Sequence, residues 1–237
     1  MRILITSAKE ACSFELAFLL NEHQLFFGEE NIPNHKFPVV ESLSFAHELL
    51  SFCLDFEIEK VFPARAGELS SLMPAKILFK EFGIEIIAPD ILSDFVYDTN
   101  SYQVNNFNEL SGQLISLGYP NQQFAIAQAN MLGDFLVIND EKKDFKGLWS
   151  KLREVSFVQI GKLFNQSDFV PLMIYPISGS LQVLNVLFEN DELSISQNIN
   201  LELYDSIFSL LKSHKSKGFY QVFLNGKKIL RVKNVAY

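Results

Sequence analysis

The chain has 237 residues, a formal net charge of −8 and 48% hydrophobic residues, with 23 phenylalanines among them. This apolar content excludes a disordered chain, and the length is enough for one large domain or two small ones. No apolar run approaches the roughly 18–20 residues that span a bilayer, and Ile3–Ile5 is too short for the core of a secretory signal. Cys12 and Cys53 lie in apolar segments and are expected to be buried free thiols. We therefore expect a cytoplasmic protein that binds no membrane.

Charge is distributed unevenly along the chain. The tail after Asp205 has no acidic residue and seven basic ones, namely Lys212, Lys215, Lys217, Lys227, Lys228, Arg231 and Lys233. Residues 1–205 therefore carry −15, from 28 acidic and 13 basic side chains. Such an acidic body would repel a phosphate backbone, which argues against nucleic-acid binding. The basic tail has two interpretations, a solvated face that offsets the body or an anion-binding site.

In the first half, short apolar strands alternate with helical patterns. The strands are predicted at 2–6, 24–28, 59–63 and 84–88. The helices are predicted around Leu16, over 42–58, and over a segment that runs to Phe82 with Gly83 as its C-cap. Strands that alternate with helices of this length predict a parallel sheet in an α/β domain.

The second half changes character after a polar stretch at 90–105 that we interpret as a linker. Asn106 and Glu109 form a capping-box pattern for a helix that ends before Gly118. Further strands are predicted at 123–130, 135–138, 170–177, 181–188 and 192–199, and two helices carry the apolar sets Phe145, Leu148, Trp149, Leu152 and Leu203, Ile207, Leu210, Leu211. This order predicts an α+β domain with a largely antiparallel sheet.

The strongest local signal is the string FYQVFL-NG-KKILRV near the end of the chain. Asn225-Gly226 is a pair that type I′ hairpin turns favour, because both central positions need positive φ. The resulting register sets one face of the hairpin as Tyr220, Val222, Leu224, Lys227, Ile229, Arg231 and Lys233. We expect this face to border solvent or a cleft, and the opposite, mostly apolar face to pack on the core.

Few residues have the spacing of known chemical motifs. The sequence shows no glycine-rich phosphate loop and no nucleophile elbow, and its four histidines lack metal-ligand spacing. Ser7 follows the first strand, where α/β sheets bind ligands, so it either caps the first helix or contacts a ligand. Arg65 and Glu68 follow the third strand in the string PARAGE, where they would pair, contact a ligand or lie in a solvated loop.

Several strings, taken in order, resemble the ATP-grasp superfamily, in particular proteins similar to the large chain of carbamoyl-phosphate synthase. MRILITSA and VFPARAGELSSLMPAKILFKEFGIEIIAPD resemble the N-terminal α/β domain of that family. LGYPNQQFAIAQANMLGDFLVIND, LMIYPISGSLQVLNVLFENDEL and GFYQVFLNGKKILRVKN resemble its lysine strand with the glycine-rich loop, its glutamate strand pair and its closing hairpin. The resemblance implies a Rossmann-like, parallel-sheet pre-ATP-grasp domain at 1–105. It also implies a truncated α+β ATP-grasp domain with a mainly antiparallel sheet at 106–237.

The departures from the family pattern fall on its functional positions. The lysine that holds ATP phosphates in the family matches Ala127, and the glycine-rich loop shortens to 130–133 with Gly133 as its one glycine. The glutamate of the adenine pocket matches Tyr175, and the magnesium-binding positions of the closing strand match Arg231 and Lys233. Cations at those positions would repel Mg²⁺, so the resemblance implies that the main electrostatic stabilisation of phosphoryl transfer is lost.

Three functions remain open. A degenerate ATP-grasp protein without ligase activity would bind a partner protein or a small ligand. A Mg²⁺-independent phosphate- or nucleotide-binding module would use Arg231 and Lys233 at the inter-domain cleft, and an active ATP-dependent carboxylate–amine ligase would rest on the fold alone. No cofactor is assigned, since ATP binding stays open and the missing carboxylates argue against Mg²⁺. The candidate ligand-binding residues are Ser7, Arg65, Glu68, Gly133, Tyr175, Arg231 and Lys233.

Overall fold

The structure, a computed structural model, describes residues 1–28, 36–89, 96–98, 101–128, 136–138, 157–160, 166–169, 171–214 and 217–236. The helices in these ranges are α1 (Ala11–Leu19), α2 (Phe45–Asp55), α3 (Glu68–Glu81), α4 (Phe107–Ser116) and α5 (Leu201–Ser213). The strands are β1 (Arg2–Ile5), β2 (Gln24–Phe27), β3 (Lys60–Phe62), β4 (Glu85–Ile86), β5 (Val96–Asp98), β6 (Tyr102–Val104), β7 (Gln123–Gln128), β8 (Leu136–Ile138), β9 (Phe157–Ile160), β10 (Gln166–Phe169), β11 (Leu172–Ile177), β12 (Leu181–Glu189), β13 (Glu192–Ile195), β14 (Gly218–Asn225) and β15 (Lys228–Asn234).

The chain forms two compact units, and each is assembled from separate stretches of sequence. The first comprises Met1–Tyr97, Val183–Val222 and Val232–Tyr237, and the second comprises Asp98–Gln182 and Phe223–Arg231. The unit boundaries therefore fall within strands β5, β12, β14 and β15. The expected division was into 1–105 and 106–237. In the structure, Val183–Val222 and Val232–Tyr237 belong to the first unit as well.

A four-stranded parallel sheet in the order β2-β1-β3-β4 organises the first unit. Ile3, Leu4 and Ile5 of β1 are all fully buried. Leu4 packs with residues of α2 and α3, whereas Ile3 and Ile5 pack with residues of α1. Strands of a parallel sheet that is covered on both faces consist of consecutive apolar residues, and β1 could be predicted from such a run. The predicted parallel α/β sheet is confirmed.

Helix α3 ends in a hydrogen-bonded reversal that leads the chain into β4. The N–H of Gly83 donates to the carbonyl of Lys80 and the N–H of Ile84 donates to that of Phe79, both at 3.0 Å. Gly83 has a φ of +77°, a left-handed conformation that glycine adopts without steric cost. The predicted glycine stop is confirmed, with Phe82 as the C-cap and Gly83 directly after it.

Both cysteines are buried free thiols, as expected from their apolar surroundings in the sequence. Burial raises the pKa of Cys12 to about 11 and the pKa of Cys53 to about 12. Because the thiolate is the reactive form, both thiols are inert at neutral pH.

An antiparallel sheet in the order β6-β11-β7-β8 organises the second unit. Phe124 and Ile126 of β7 pack with apolar residues of α4 on one face of this sheet. Ala125 and Ala127 belong to a separate apolar cluster on the other face. The alternation places every second residue of β7 on the same face, and the predicted antiparallel sheet is confirmed.

Helices α4 and α5 begin at asparagine caps. The side-chain oxygen of Asn106 accepts a hydrogen bond from the N–H of Glu109 at 2.9 Å, as the capping-box pattern predicts. Asn200 accepts from the N–H of Leu203 at 2.8 Å in the same way. Each bond satisfies one of the N–H groups that a helix start leaves without an intrahelical partner.

The stretch at 90–105 is not the irregular linker that we expected. Its described residues include β5 and β6, and β6 pairs antiparallel with β11. Strands β9 and β10, which pair with each other, were also missed. Strands of three or four residues are too short to show the apolar alternation by which a strand is recognised in a sequence. The helix predicted around 145–152 and the shortened loop at 130–133 lie outside the described residues.

The C-terminal hairpin turns one residue later than predicted. β14 ends at Asn225 and β15 begins at Lys228, so Gly226 and Lys227 form the loop. Gly226 has a φ of +61°, whereas Asn225 is not among the residues with positive φ, so the turn has its glycine first, as type II′ turns do. Tyr220, Val222, Leu224 and Arg231 are all buried, so the expectation of solvent is wrong for these residues, and a cleft beside this face stays a prediction.

We expect Gly28→Ala to lower the free energy of unfolding by about 2–3 kcal/mol. A Cβ at Gly28 would lie 2.2 Å from the carbonyl oxygen of Thr6 and 2.5 Å from the ring of Phe37, so the backbone would have to move. Urea denaturation followed by circular dichroism measures the change. Gly112→Ala in α4 is the control, because a Cβ there meets no described atom within 4 Å and should stabilise the helix by about 0.5–1 kcal/mol. Equal stability of the two variants would contradict the prediction.

Candidate functional site

Polar residues that follow β1 and β3 meet at one edge of the parallel sheet in the first unit. The two strands are neighbours and run in the same direction, so Thr6, Ser7 and residues 64–68 lie at the same edge. The N–H of Thr6 donates to the carbonyl of Phe62 at 3.1 Å and continues the pairing past the end of β1. Ligands of α/β proteins commonly bind at this edge. Three of the residues predicted from the sequence therefore lie in one region.

The carboxylate of Glu68 is fully buried and accepts hydrogen bonds on both oxygens. Oε2 accepts from the hydroxyl of Thr6 and, at 3.1 Å each, from the backbone N–H groups of Ala64 and Arg65. Oε1 accepts from Nε of Arg65 at 2.8 Å, and Nη2 of the same guanidinium lies 2.8 Å away. Burial raises the pKa of the Glu68 carboxyl, while the Arg65 guanidinium and the hydrogen bond from Thr6 oppose that rise.

The guanidinium of Arg65 has three further contacts in the first unit. Nη1 donates to the carbonyl of Pro38 at 2.9 Å, and the ζ carbon lies 4.7 Å and 5.4 Å from the ring centroids of Phe37 and Phe45. The predicted pairing with Glu68 is confirmed, and the expectation of a solvated loop is wrong. A carboxylate that is withdrawn from water must find its donors within the protein, and this pair fastens the loop at 64–68 to the end of β1.

Ser7 stabilises the turn that enters α1. Its hydroxyl oxygen accepts hydrogen bonds from the N–H groups of Lys9 at 3.2 Å and Glu10 at 3.3 Å, and the residue is buried. Because α1 begins at Ala11, these N–H groups lie directly before the first helical residue. Ser7 therefore stabilises the preceding turn and is not the cap of α1, whose N-cap is Glu10 with no side-chain hydrogen bond, and its contact with a ligand stays a prediction.

A second set of candidates meets on one face of the antiparallel sheet in the second unit. Tyr175 on β11 pairs with Ala125 on β7. Both pack with Ala127, Ile177 and Leu230 in one apolar cluster. The two alanines carry only methyl groups, so the aromatic ring of Tyr175 can lie close to the sheet at these positions.

The guanidinium of Arg231 lies against Tyr175. Its Nε donates to the hydroxyl oxygen of Tyr175 at 3.1 Å, and its Nη2 donates to the carbonyl of Gln128 at 3.4 Å. The ζ carbon lies 5.7 Å from the centre of the tyrosine ring, and the residue is only 1% exposed. A buried guanidinium needs groups that accept its hydrogen bonds or solvate its charge, and a phenol, a carbonyl and an aromatic face do so here. We call Arg231, Tyr175 and Gln128 the Arg231 cluster.

The resemblance matches three of the family's functional positions to Ala127, Tyr175 and Arg231. They present a methyl group, a phenol and a guanidinium, and none of these is the anionic oxygen ligand that Mg²⁺ prefers. A shift of one residue along β15 would substitute Val232 and Asn234, which are buried and carry no carboxylate. Within the described ranges, no group of three or more His, Cys, Asp or Glu side chains is placed to hold a metal ion. Lys233 is half-buried, and Gly133 lies outside the described residues.

Two residues that sequence reasoning missed contribute to these clusters. Thr6 donates its hydroxyl to Glu68, and Gln128 offers its carbonyl to Arg231. Thr6 carried a signal, because a polar residue directly after three buried apolar ones marks the end of a strand. Gln128 accepts through its backbone, so its residue type carried none.

Solved structures share the fold of this chain. A biotin carboxylase complex from Campylobacter jejuni matches with a TM-score of 0.53 at 14% identity and covers 100% of this chain and 65% of its own. The biotin carboxylase domain of 2-oxoglutarate carboxylase from Hydrogenobacter thermophilus matches with a TM-score of 0.52 at 12% identity and covers 100% of this chain and 64% of its own. The chain thus spans slightly less than two thirds of either relative. These likenesses show the fold, and the chain has the ATP-grasp architecture that the resemblance implied.

The comparisons at the level of sequence gave no relatives. No family model matches the chain, and no curated protein sequence is significantly similar to it. Separately, none of the helices in the described part of the chain is long and apolar enough to cross a membrane. The function must therefore be argued from the two clusters themselves.

We expect Glu68→Ala to lower the free energy of unfolding by about 3–5 kcal/mol, because it leaves the cation of Arg65 buried without its carboxylate. Chemical denaturation measures the loss. Glu81→Ala is the matched control, since Glu81 is an exposed glutamate on the same helix and its removal should cost less than about 0.5 kcal/mol. If Glu68→Ala does not fold, Thr6→Val removes one donor to the carboxylate and should cost about 1–2 kcal/mol. A loss no larger than that of the control would contradict the prediction.

We expect Tyr175→Phe and Arg231→Met to be energetically coupled. Each removes one partner of the hydrogen bond between the two side chains, so a double-mutant cycle should give an interaction of about 1–2 kcal/mol. Urea denaturation of the four proteins measures it. Tyr102→Phe, at an exposed tyrosine of the same sheet, is the control and should be additive with Arg231→Met to within about 0.5 kcal/mol. Additivity in both pairs would show that the contact is not energetically important.

Proposed function

We propose that this chain is an ATP-grasp-fold protein that binds a partner protein or a small ligand and has no ligase activity. The observation that supports the proposal is the Arg231 cluster. A buried guanidinium stands on the strand where the resemblance expects carboxylates that hold Mg²⁺, and it contacts the residue that replaces the glutamate of the adenine pocket. The fold alone does not decide the activity, because one fold serves many functions.

The charge of Arg231 argues against metal-assisted phosphoryl transfer. In that reaction Mg²⁺ bridges phosphate oxygens and neutralises the charge that develops on them. At an effective dielectric constant of about 20, a divalent ion about 5 Å from a guanidinium is repelled by about 7 kcal/mol. A carboxylate at the same distance would attract the ion by the same amount. The change from carboxylate to guanidinium therefore reverses the interaction that would hold the metal.

The packing around Tyr175 argues in the same direction. Ala127 is buried in an apolar cluster and offers no ammonium group to a phosphate. Tyr175 is fully buried, and its hydroxyl accepts a hydrogen bond from Arg231. A nucleotide is held by a small number of polar groups placed in an otherwise apolar pocket, and the side chains of this cluster are engaged with one another.

A Mg²⁺-independent anion module is the second candidate, since arginine binds phosphate through two parallel hydrogen bonds. Such binding needs two neighbouring nitrogens of the guanidinium. In this structure Nε donates to Tyr175 and Nη2 donates to Gln128. An anion would have to displace these acceptors and reach a residue that is 1% exposed. We therefore place this candidate second.

We expect ATP to show no saturable binding up to about 1 mM, with or without Mg²⁺. Isothermal titration calorimetry and thermal unfolding of the same samples measure it. Mg²⁺-dependent binding would contradict the proposal and support an active ligase. Mg²⁺-independent binding that is lost in Arg231→Met would support the anion module, provided that the variant keeps the near-ultraviolet circular dichroism of the native chain.

A further inference from the structure

A cleft of about 590 Å³ lies in the first unit, beside the amino end of β4. It is lined by the lysines Lys76, Lys80 and Lys217, by Glu85, and by the apolar side chains of Ile77 and Ile84. Because β4 starts at Glu85 in a parallel sheet, the cleft borders the edge opposite to the one that carries Ser7 and the Glu68 pair. It therefore shares no residue with either cluster described above.

The charged side chains of this cleft are mostly cations. Three lysines and one glutamate among the described residues give its lining a formal charge of +2, on a chain whose total is −8. Lys217 forms an ion pair with Glu85, which also lies 3.7 Å from Lys60. Nζ of Lys76 donates to the carbonyls of Ala88 at 2.9 Å and Pro89 at 3.4 Å, which lie beyond the carboxyl end of β4. Lys80 is exposed on the last turn of α3. The cleft thus concentrates positive charge on an otherwise acidic body.

The backbone does not favour an anion at this place. The cleft lies at the carboxyl end of α3, where the helix dipole contributes partial negative charge. Any attraction for an anion must therefore come from the lysine side chains. Lysine binds phosphate groups as a point charge, and a phosphate monoester, with about −1.5 to −2 charges at neutral pH, matches the formal +2 of the lining.

The remaining surface of the cleft is apolar. Ile77 is 75% exposed at the rim, whereas Ile84 is buried beneath it. A Cβ at Gly83 would meet no described atom within 4 Å, so this glycine leaves the approach to the cleft open. The volume falls within the range of about 300–1,000 Å³ that is typical of small-molecule sites. A ligand that fills it would present an apolar group next to its charge.

We propose that this cleft binds a small organic phosphate that carries an apolar group. The ammonium groups of Lys80 and Lys217 attract the phosphate, and Ile77 and Ile84 contact the apolar group. The site uses no residue of the Arg231 cluster. Its existence is therefore independent of whether the chain has ligase activity.

Phenyl phosphate is the probe, and titration followed by amide resonances of ¹⁵N-labelled protein is the measurement. We expect saturable binding in the millimolar range with the shifts centred on Gly83 and Ile84. Lys80→Met and Lys217→Met, which keep the length of the side chain and remove its charge, should each weaken binding about three- to fivefold. Lys212→Met, at an exposed lysine of α5, is the matched control and should leave the affinity unchanged. Salt should weaken binding, since exposed charges are screened.

Three further ligands separate the contribution of the phosphate charge from that of the apolar group. Phenol lacks the charge and inorganic phosphate lacks the apolar group, so both should bind more weakly than phenyl phosphate. Benzoate carries one charge instead of two and should also bind more weakly. The proposal is overturned if phenyl phosphate does not saturate by about 10 mM, if neither cleft lysine affects its affinity, or if benzoate or phenol binds as tightly. ATP is itself an organic phosphate, so ATP binding in the titration above is assigned to this cleft only if Lys80→Met weakens it and Arg231→Met does not.

Discussion

A carboxylate that leaves water needs hydrogen-bond donors on both oxygens, and the first unit meets this requirement at Glu68 with donors from two pieces of chain. The hydroxyl of Thr6, the backbone after β3 and the guanidinium of Arg65 all converge on it. Because β1 and β3 are the two central strands of the sheet, these bonds determine where both strands end and where α3 begins. The edge at which α/β folds commonly bind ligands is thereby occupied with the protein's own ion pair.

The second unit also buries a charge. Arg231 lies against the ring and hydroxyl of Tyr175 and a backbone carbonyl, and such groups solvate a guanidinium that is withdrawn from water. The resemblance expects a carboxylate at this place, and the proposed loss of ligase activity depends on the guanidinium that the structure has there.

Elements that are buried on both faces could be predicted from the sequence, and elements defined by distant partners could not. Ile3–Ile5 is a run of consecutive apolar residues, and Asn106 with Glu109 is a local cap, so both were visible. The strand Tyr102–Val104 is partly exposed and depends on β11, about 70 residues away. The burial of Arg231 depends on Tyr175 in the same way, since polarity alone assigned that face of the hairpin to solvent. The turn at Gly226 was misplaced because Asn-Gly fits two turn types that differ by one residue in position.

The discontinuous first unit has a consequence for synthesis. Ala236 packs in the same core cluster as Leu4 and Val61, and the N–H of Val235 donates to the carbonyl of Phe219. At about 5–20 residues per second, a ribosome needs roughly 7–27 s to proceed from residue 97 to residue 232. During that time the nascent sheet lacks the apolar contacts that the later segments supply, and contacts between residues so far apart in sequence form slowly. The chain therefore cannot complete its N-terminal unit first, and we expect its folding during translation to depend on protection from chaperones.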